Sequence, residues 1–291
     1  MASTTTPKQA EQWNGSGGEA WVRRQETLDR MVRPLGQLAL DAAAIAPGEA
    51  VLDVGCGCGE TTLAVAARTG PSGRVLGVDV SAPMLARAAE RVAARREGDG
   101  APIELVLADA ATHALPEASF DVLVSRFGVM FFEDPAHAFA NLARALRPGA
   151  RLAFVCWRAM EENPWALLPL RAVASVAPVP APTPGAPGAF ALADDARVTR
   201  ILEEAGFVDV RFVPQDCEVP LGPTGPGVRD EDVLAHLLEV GPAARAVAAL
   251  GVRPAAEAAL SAMLATLPRR EGEGGVWVRA AAWLVTARRA G

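Results

Sequence analysis

The chain has 291 residues, 51% of them apolar, and a net charge of −6. That length spans one large domain or two small ones and supplies enough apolar side chains for a sizeable core. The acidic balance, with arginines scattered singly or in pairs and Lys8 as the one lysine, argues against nucleic acid as a partner, because nucleic acid selects a clustered basic face.

Residues 1–10 are polar and lack an apolar signal region, and no uninterrupted apolar run reaches the roughly eighteen residues of a membrane span; a cytoplasmic location is the expectation. Residues 1–12 are expected to fray. Trp21, Leu28, Met31, Leu35, Leu38 and Leu40 recur near helical spacing and predict a helical stretch over 18–46, which Pro47-Gly48 ends. An alternation follows: strand 50–54, helix 61–68, strand 74–80, helix 82–96 with Met84, Leu85, Ala88 and Val92 on one face, strands 103–107 and 120–125, helix 136–146 and strand 151–157. A helix over 194–205, a strand near 208–213 and a closing strand over 276–286 complete it. Strands alternating with helices imply a parallel sheet covered on both faces, an α/β doubly wound fold. Two segments break the rhythm: 159–192, whose proline-rich run 177–187 cannot be a central element, and 222–270, rich in Gly and Pro at first and then helical.

The chemistry concentrates where the first strand ends, at Asp53-Val54-Gly55-Cys56-Gly57-Cys58-Gly59. Glycines allow positive φ and close approach of backbone to a ligand, and the carboxyl ends of strands are where open α/β sheets bind ligands. A lone Gly-x-Gly is also compatible with a tight strand-to-helix turn. Two further strand ends carry acids: Asp79 can accept hydrogen bonds from both hydroxyls of a ribose, and Asp109 from an adenine amino group. A nicotinamide dehydrogenase is the competing reading on the same fold. Its Gly-x-Gly-x-x-Gly fingerprint places a pyrophosphate on the turn, where Glu60 would oppose it, whereas a cofactor without phosphate tolerates an acid there.

On these motifs the chain resembles the class I S-adenosylmethionine (SAM)-dependent methyltransferases, nearest to a small-molecule branch that includes the ubiquinone and menaquinone C-methyltransferases. The resemblance is strong over 47–158 and looser over 190–215 and 276–288. It implies a mostly parallel seven-stranded sheet with the last strand antiparallel, and SAM as cofactor. It implies that Asp53 and the backbone of Gly55, Cys56 and Gly57 hold the methionine end. Asp79 and Val80 would meet the ribose, Met84 the adenine ring, and Asp109 and Ala110 the adenine amino group, with Ser125 at the end of the fourth strand also on the cofactor.

Methyl transfer from a sulfonium needs mainly alignment and exclusion of water, and a general base only where the acceptor must lose a proton. His113, a few residues beyond the third strand, is the candidate base; His137 and His236 read as an exposed helix residue and a cap-helix residue. The loop 125–132 is apolar where several O-methyltransferases carry histidine, so it is either helix–sheet packing or a wall of the acceptor pocket. Trp13 and Trp21 either anchor the N-terminal helix or close over the cofactor. Cys56 and Cys58 are too close in sequence for a disulfide or a shared tetrahedral metal, and free thiols with no metal are expected. The expected organisation is one methyltransferase domain over 1–291, with an N-terminal lid over 1–46 and cap insertions 159–192 and 222–270 roofing the acceptor site. The acceptor is expected to be a small, largely apolar molecule. A SAM-binding module without turnover and a nicotinamide oxidoreductase are the alternatives, and nothing in the sequence bears on oligomeric state.

Overall fold

The computed structural model describes residues 8–96, 98–181, 183, 185–270 and 273–291. In chain order the elements are α1 (Lys8–Asn14), α2 (Ser16–Arg23), α3 (Gln25–Ala42), β1 (Ala50–Val54), α4 (Glu60–Thr69), β2 (Arg74–Asp79), α5 (Ala82–Ala93) and β3 (Ile103–Leu107). They continue with β4 (Phe120–Arg126), α6 (Pro135–Ala145), β5 (Leu146–Trp157), α7 (Pro164–Ala174), α8 (Asp195–Glu204), β6 (Phe207–Pro220), α9 (Asp230–Leu237), α10 (Gly241–Leu250), α11 (Arg253–Thr266) and β7 (Trp277–Arg289).

The strands form one seven-stranded sheet in the order β3-β2-β1-β4-β5-β7-β6. Pairing is parallel from β3 to β5, and β7 runs antiparallel to both β5 and β6. All of β1 is buried, as expected of a central strand covered on both faces. The helices start where side chains meet their free N–H groups. Ser81 caps α5, Asp134 caps α6 (Oδ1 accepting from His137 N, 3.0 Å) and Asp194 caps α8 (Oδ1 accepting from Arg197 N, 2.8 Å). Strand order reverses between β1 and β4, and such switch points leave a crevice at the carboxyl edge.

Three expectations need correction. The stretch 18–46 is two helices, α2 and α3, broken at Arg24, and residues 8–12, expected to fray, lie in α1; residues 1–7 of that expectation lie outside the described residues. Pairing on β5 begins at Leu146 opposite Phe120, then shifts register before Arg151 meets Val122, with Gly149 at φ +77°. Strand β6 has 14 residues rather than six, because Gln215, Asp216 and Glu218 continue it along the open edge of the sheet.

Two insertions leave the carboxyl edge. Residues 158–194 follow β5 and contain α7; residues 221–276 lie between β6 and β7 and contain α9, α10 and α11. Helix α7 packs against α10 and α11, so the two insertions form one cover. Asn163, fully buried, fastens that cover to the sheet. Its Nδ2 donates to the carbonyls of Arg158 (3.2 Å), Ala159 (3.0 Å) and Ala281 (3.0 Å), and its Oδ1 accepts from Trp165 Nε1 (2.9 Å) and Ala281 N (2.9 Å). Among the described residues no single helix is long and apolar enough to cross a membrane.

Truncating Asn163 strands several buried partners at once. Asn163→Ala is expected to lower the unfolding free energy in urea by roughly 2–3 kcal/mol; a loss below about 0.5 kcal/mol, the range of an ordinary surface change, would contradict this role.

Candidate active site

The carboxyl ends of β1, β2 and β4 and the residues after β3 open into one cavity of about 860 Å³, closed on the far side by α1, α2, α7 and the α9–α10 segment. Its floor is the turn after β1. Gly55 and Gly57 adopt φ of +69° and +56°. A Cβ on Gly55 would lie 2.6 Å from the Gly128 Cα, so the loops after β1 and β4 touch backbone to backbone and only glycine fits. The N–H groups of Gly55 and Cys56 donate to the Val78 carbonyl (2.8 and 3.2 Å), which ties the turn to β2.

At the end of β2, the Asp79 carboxylate accepts from Gly57 N (Oδ2, 2.7 Å) and Ser81 N (Oδ1, 2.8 Å). Each oxygen therefore has one fixed partner and remaining acceptor capacity on the cavity side. Burial pushes this carboxyl above its ordinary value, and the backbone N–H groups of Ser81, Gly57 and Val80 oppose that rise. Val80, Met84, Asp109 and Ala110 also line the cavity, with Asp109 Oδ1 held by Ala111 N (2.9 Å). The N-terminal helices are pinned beside them: Asn14 donates to the Val80 carbonyl (2.8 Å) and accepts from Ala82 N (2.9 Å), and the Ser81 hydroxyl donates to the Trp13 carbonyl (2.6 Å).

Part of the remaining wall is aromatic. Phe127 stacks on Trp157 (centroids 4.2 Å apart), Trp157 meets Trp165 (4.8 Å) and Trp13 meets Phe131 edge-on (5.0 Å); all five line the cavity. Phe127 sits at φ +59°, a left-handed conformation that costs an ordinary residue roughly 1–2 kcal/mol. That strain turns its ring from the end of β4 toward the cavity.

Three residues expected at the site lie off the cavity wall. Asp53 is wholly buried beneath the turn, with Oδ2 accepting from the Thr62 hydroxyl (2.7 Å) and Oδ1 unpartnered; burial pushes its carboxyl up to about 7. Ser125 is buried too, its hydroxyl donating to the Val54 carbonyl (2.7 Å) and accepting from Gly128 N (3.2 Å), so it braces the two touching loops. His113 is exposed and absent from the cavity wall; its carbonyl accepts from Asn141 Nδ2 (2.9 Å). The chain turns away after Asp109, which carries His113 out to solvent. His137 is exposed as well, whereas His236 is 3% exposed and does line the cavity.

A family model described as a methyltransferase domain matches residues 52–154, from β1 into β5. Nocamycin O-methyltransferase of Saccharothrix syringae is 37% identical over 206 residues, which cover 64% of this chain and 69% of that protein. The chain belongs to the SAM-dependent methyltransferases. Aklanonic acid methyltransferase of Streptomyces sp. strain C5 is 32% identical over 140 residues, 47% of this chain and 62% of that protein. The fold is shared with phosphoethanolamine N-methyltransferase 2 of Haemonchus contortus, solved in complex with SAM. That comparison has a TM-score of 0.52 at 18% identity and covers 89% of this chain and 53% of that one.

For this methyltransferase the role expected of Glu60 changes. Its carboxylate does not face the cavity; it pairs with Arg126 and Arg33. The nicotinamide alternative falls with the family assignment, not through Glu60. Sequence reasoning missed Arg126, because a lone arginine closing a strand gives no sign of its partners. The cysteines of the turn are poorly reactive: burial pushes the Cys58 thiol up to about 12 and the Cys56 thiol well above its usual value.

The two turn glycines separate steric from conformational constraint. A Cβ on Gly57 meets only the mobile Cε of Met84 (2.8 Å), whereas on Gly55 it meets fixed backbone. Gly55→Ala is expected to lower stability by more than about 2 kcal/mol, and Gly57→Ala by about 1–2 kcal/mol. Urea unfolding of both variants checks this, and equal losses would contradict the contact between the two loops.

Proposed function

We propose that SAM lies across the carboxyl ends of β1, β2 and β3, and that the acceptor is a small, largely apolar molecule held against the aromatic wall of the same cavity. The observation that carries the reading is the Asp79 carboxylate, fixed at the wall by two backbone N–H groups and leaving acceptor capacity toward a ribose diol. Met84, Asp109 and Ala110 line the same cavity, which suits an adenine ring and its amino group. Gly55, Cys56 and Gly57 line the cavity where the methionine end would lie, and the close packing of Gly55 on Gly128 holds their backbone in place. Asp53, beneath the turn, acts as a positioning residue through Thr62 at the start of α4 rather than by contact.

Bound SAM supplies an electrophilic methyl group on a cationic sulfur. What the protein adds is orientation and a dry enclosure, and alignment alone is worth roughly 7–11 kcal/mol. Phe127, Trp157 and Trp165 form a rigid face against which a flat apolar acceptor can be held. The relatives named for nocamycin and aklanonic acid support a small-molecule acceptor, and the net charge of −6 disfavours a polyanion. The chain acts as one methyltransferase domain, with residues 1–46 as a lid and the insertions over 159–192 and 222–270 as the acceptor cover. Four free cysteines suit a reducing, cytoplasmic setting.

Asp121 is the control for Asp79. It accepts from Ala50 N (2.9 Å) and pairs with Arg147 at the opposite end of the strands. Asp79→Ala is expected to weaken binding of S-adenosylhomocysteine by about 1.5–3 kcal/mol in calorimetry, and Asp121→Ala to leave it unchanged. Equal effects would refute the placement of the ribose.

A further inference from the structure

The cofactor reading leaves one end of the cavity without an assigned role, where α9 bends into α10 at 66°. Four arginines line the cavity. Arg126 is neutralised by Asp29 and Glu60, Arg23 approaches Glu239 (3.6 Å) and Arg253 pairs with Glu257 (3.0 Å). Arg245 on α10 has no ion-pair or hydrogen-bond partner among the described residues. Beside this helix, at the end of α9, His236 lines the same cavity at 3% exposed with Nδ1 enclosed and unpartnered.

We infer that this end of the cavity is a subsite for a single oxyanion on the methyl acceptor, with Arg245 supplying the charge and His236 a hydrogen bond. The inference rests on the proposed placement of SAM and names the acceptor's chemical class: an apolar body carrying one acidic oxygen ionised at neutral pH.

A guanidinium that no carboxylate of the chain meets is open to an anion from a ligand. Burial alone pushes the Arg245 guanidinium below its ordinary value, with no carboxylate opposing the shift. Its surface stays accessible because it faces an open cavity. A planar guanidinium matches a carboxylate bidentately. His236 stays neutral: burial, with Arg24 adding to it and Glu239 opposing, pushes the imidazole down to about 4. A neutral ring has one donor and one acceptor. An enclosed bare acceptor costs less than an enclosed bare N–H, so Nδ1 is the acceptor and Nε2–H the donor. The same wall carries Leu237, Ala244, Trp165 and Pro169, and its carboxylate Glu239 is engaged by Arg23 and Arg24, which leaves Arg245 to meet an anion on the acceptor.

Calorimetry on the full chain saturated with S-adenosylhomocysteine tests this, using matched aromatic pairs: 2-naphthoate against 2-naphthamide, and anthraquinone-2-carboxylate against its carboxamide. 2-Naphthol, neutral at pH 7, and its more acidic nitro derivatives distinguish a phenolate from a carboxylate. The anion is expected to bind on the order of ten- to hundredfold tighter than its neutral partner. Arg245→Gln should bring the preference to within about twofold, while Arg245→Lys, which keeps the charge and loses the fork, should retain part of it. Affinity for S-adenosylhomocysteine is the fold control for each variant. Binding of S-adenosylhomocysteine with no preference for any anion, or a preference that survives Arg245→Gln, overturns the subsite. Failure to bind S-adenosylhomocysteine at all overturns the cofactor placement, and the subsite falls with it.

Discussion

A buried charge cluster at the end of β4 holds the site together. Arg126 closes β4 with its side chain 13% exposed and meets Asp29 of α3 (2.8 Å) and Glu60 at the start of α4. Arg91 of α5 adds a second cation to Asp29 (3.1 Å) and donates to the Cys58 carbonyl of the glycine turn (2.8 Å). Burial opposes ionisation of Asp29, but the Arg126 guanidinium prevails and holds its carboxyl below the ordinary range. Such a cluster contributes less to net stability than its Coulomb energy suggests, yet removing one member leaves a buried charge unmet at about 3–5 kcal/mol. It thereby fixes α3, α4 and α5 around the turn. Gly36 shows how close the fit is: a Cβ there would lie 2.6 Å from Arg126 Cδ.

The turn held in this way lines the cavity with Gly55, Cys56, Gly57 and Cys58. Asp79 is oriented by the turn's own Gly57 N–H, so the carboxylate on β2 and the backbone after β1 form one rigid unit. Gly128 against Gly55 and the Ser125 hydroxyl on the Val54 carbonyl extend that unit to β4, and the strained Phe127 follows directly. The wall opposite these strand ends is built from α7 and α10 of two separate insertions.

The sheet from β1 to β4 and the glycine turn were legible in the sequence because their signals are local: short apolar runs, glycine spacing and acids at strand ends. Asp79, Met84 and Asp109 lie on the cavity for the same reason. What was not legible depends on contacts distant in the chain. Asp53 and Ser125 share the strand ends but point beneath the surface, and alternation of side chains along a strand is not resolved by a motif match. Arg126 finds Asp29 97 residues away, and Asn163 finds Ala281 118 residues away. The expected strand stopped short of Gln215, Asp216 and Glu218 because an edge strand needs no apolar outer face. His113 looked well placed by sequence distance from β3, but the turn after Asp109 carries it to solvent.

The most direct measurement of the central claim is a crystal structure of the chain with S-adenosylhomocysteine. The account predicts the ribose hydroxyls within hydrogen-bonding distance of the Asp79 carboxylate, the adenine beside Met84 and Asp109, and the sulfur directed toward Phe127 and Trp157. A ligand bound elsewhere, or one in this cavity with its ribose away from Asp79, would contradict it.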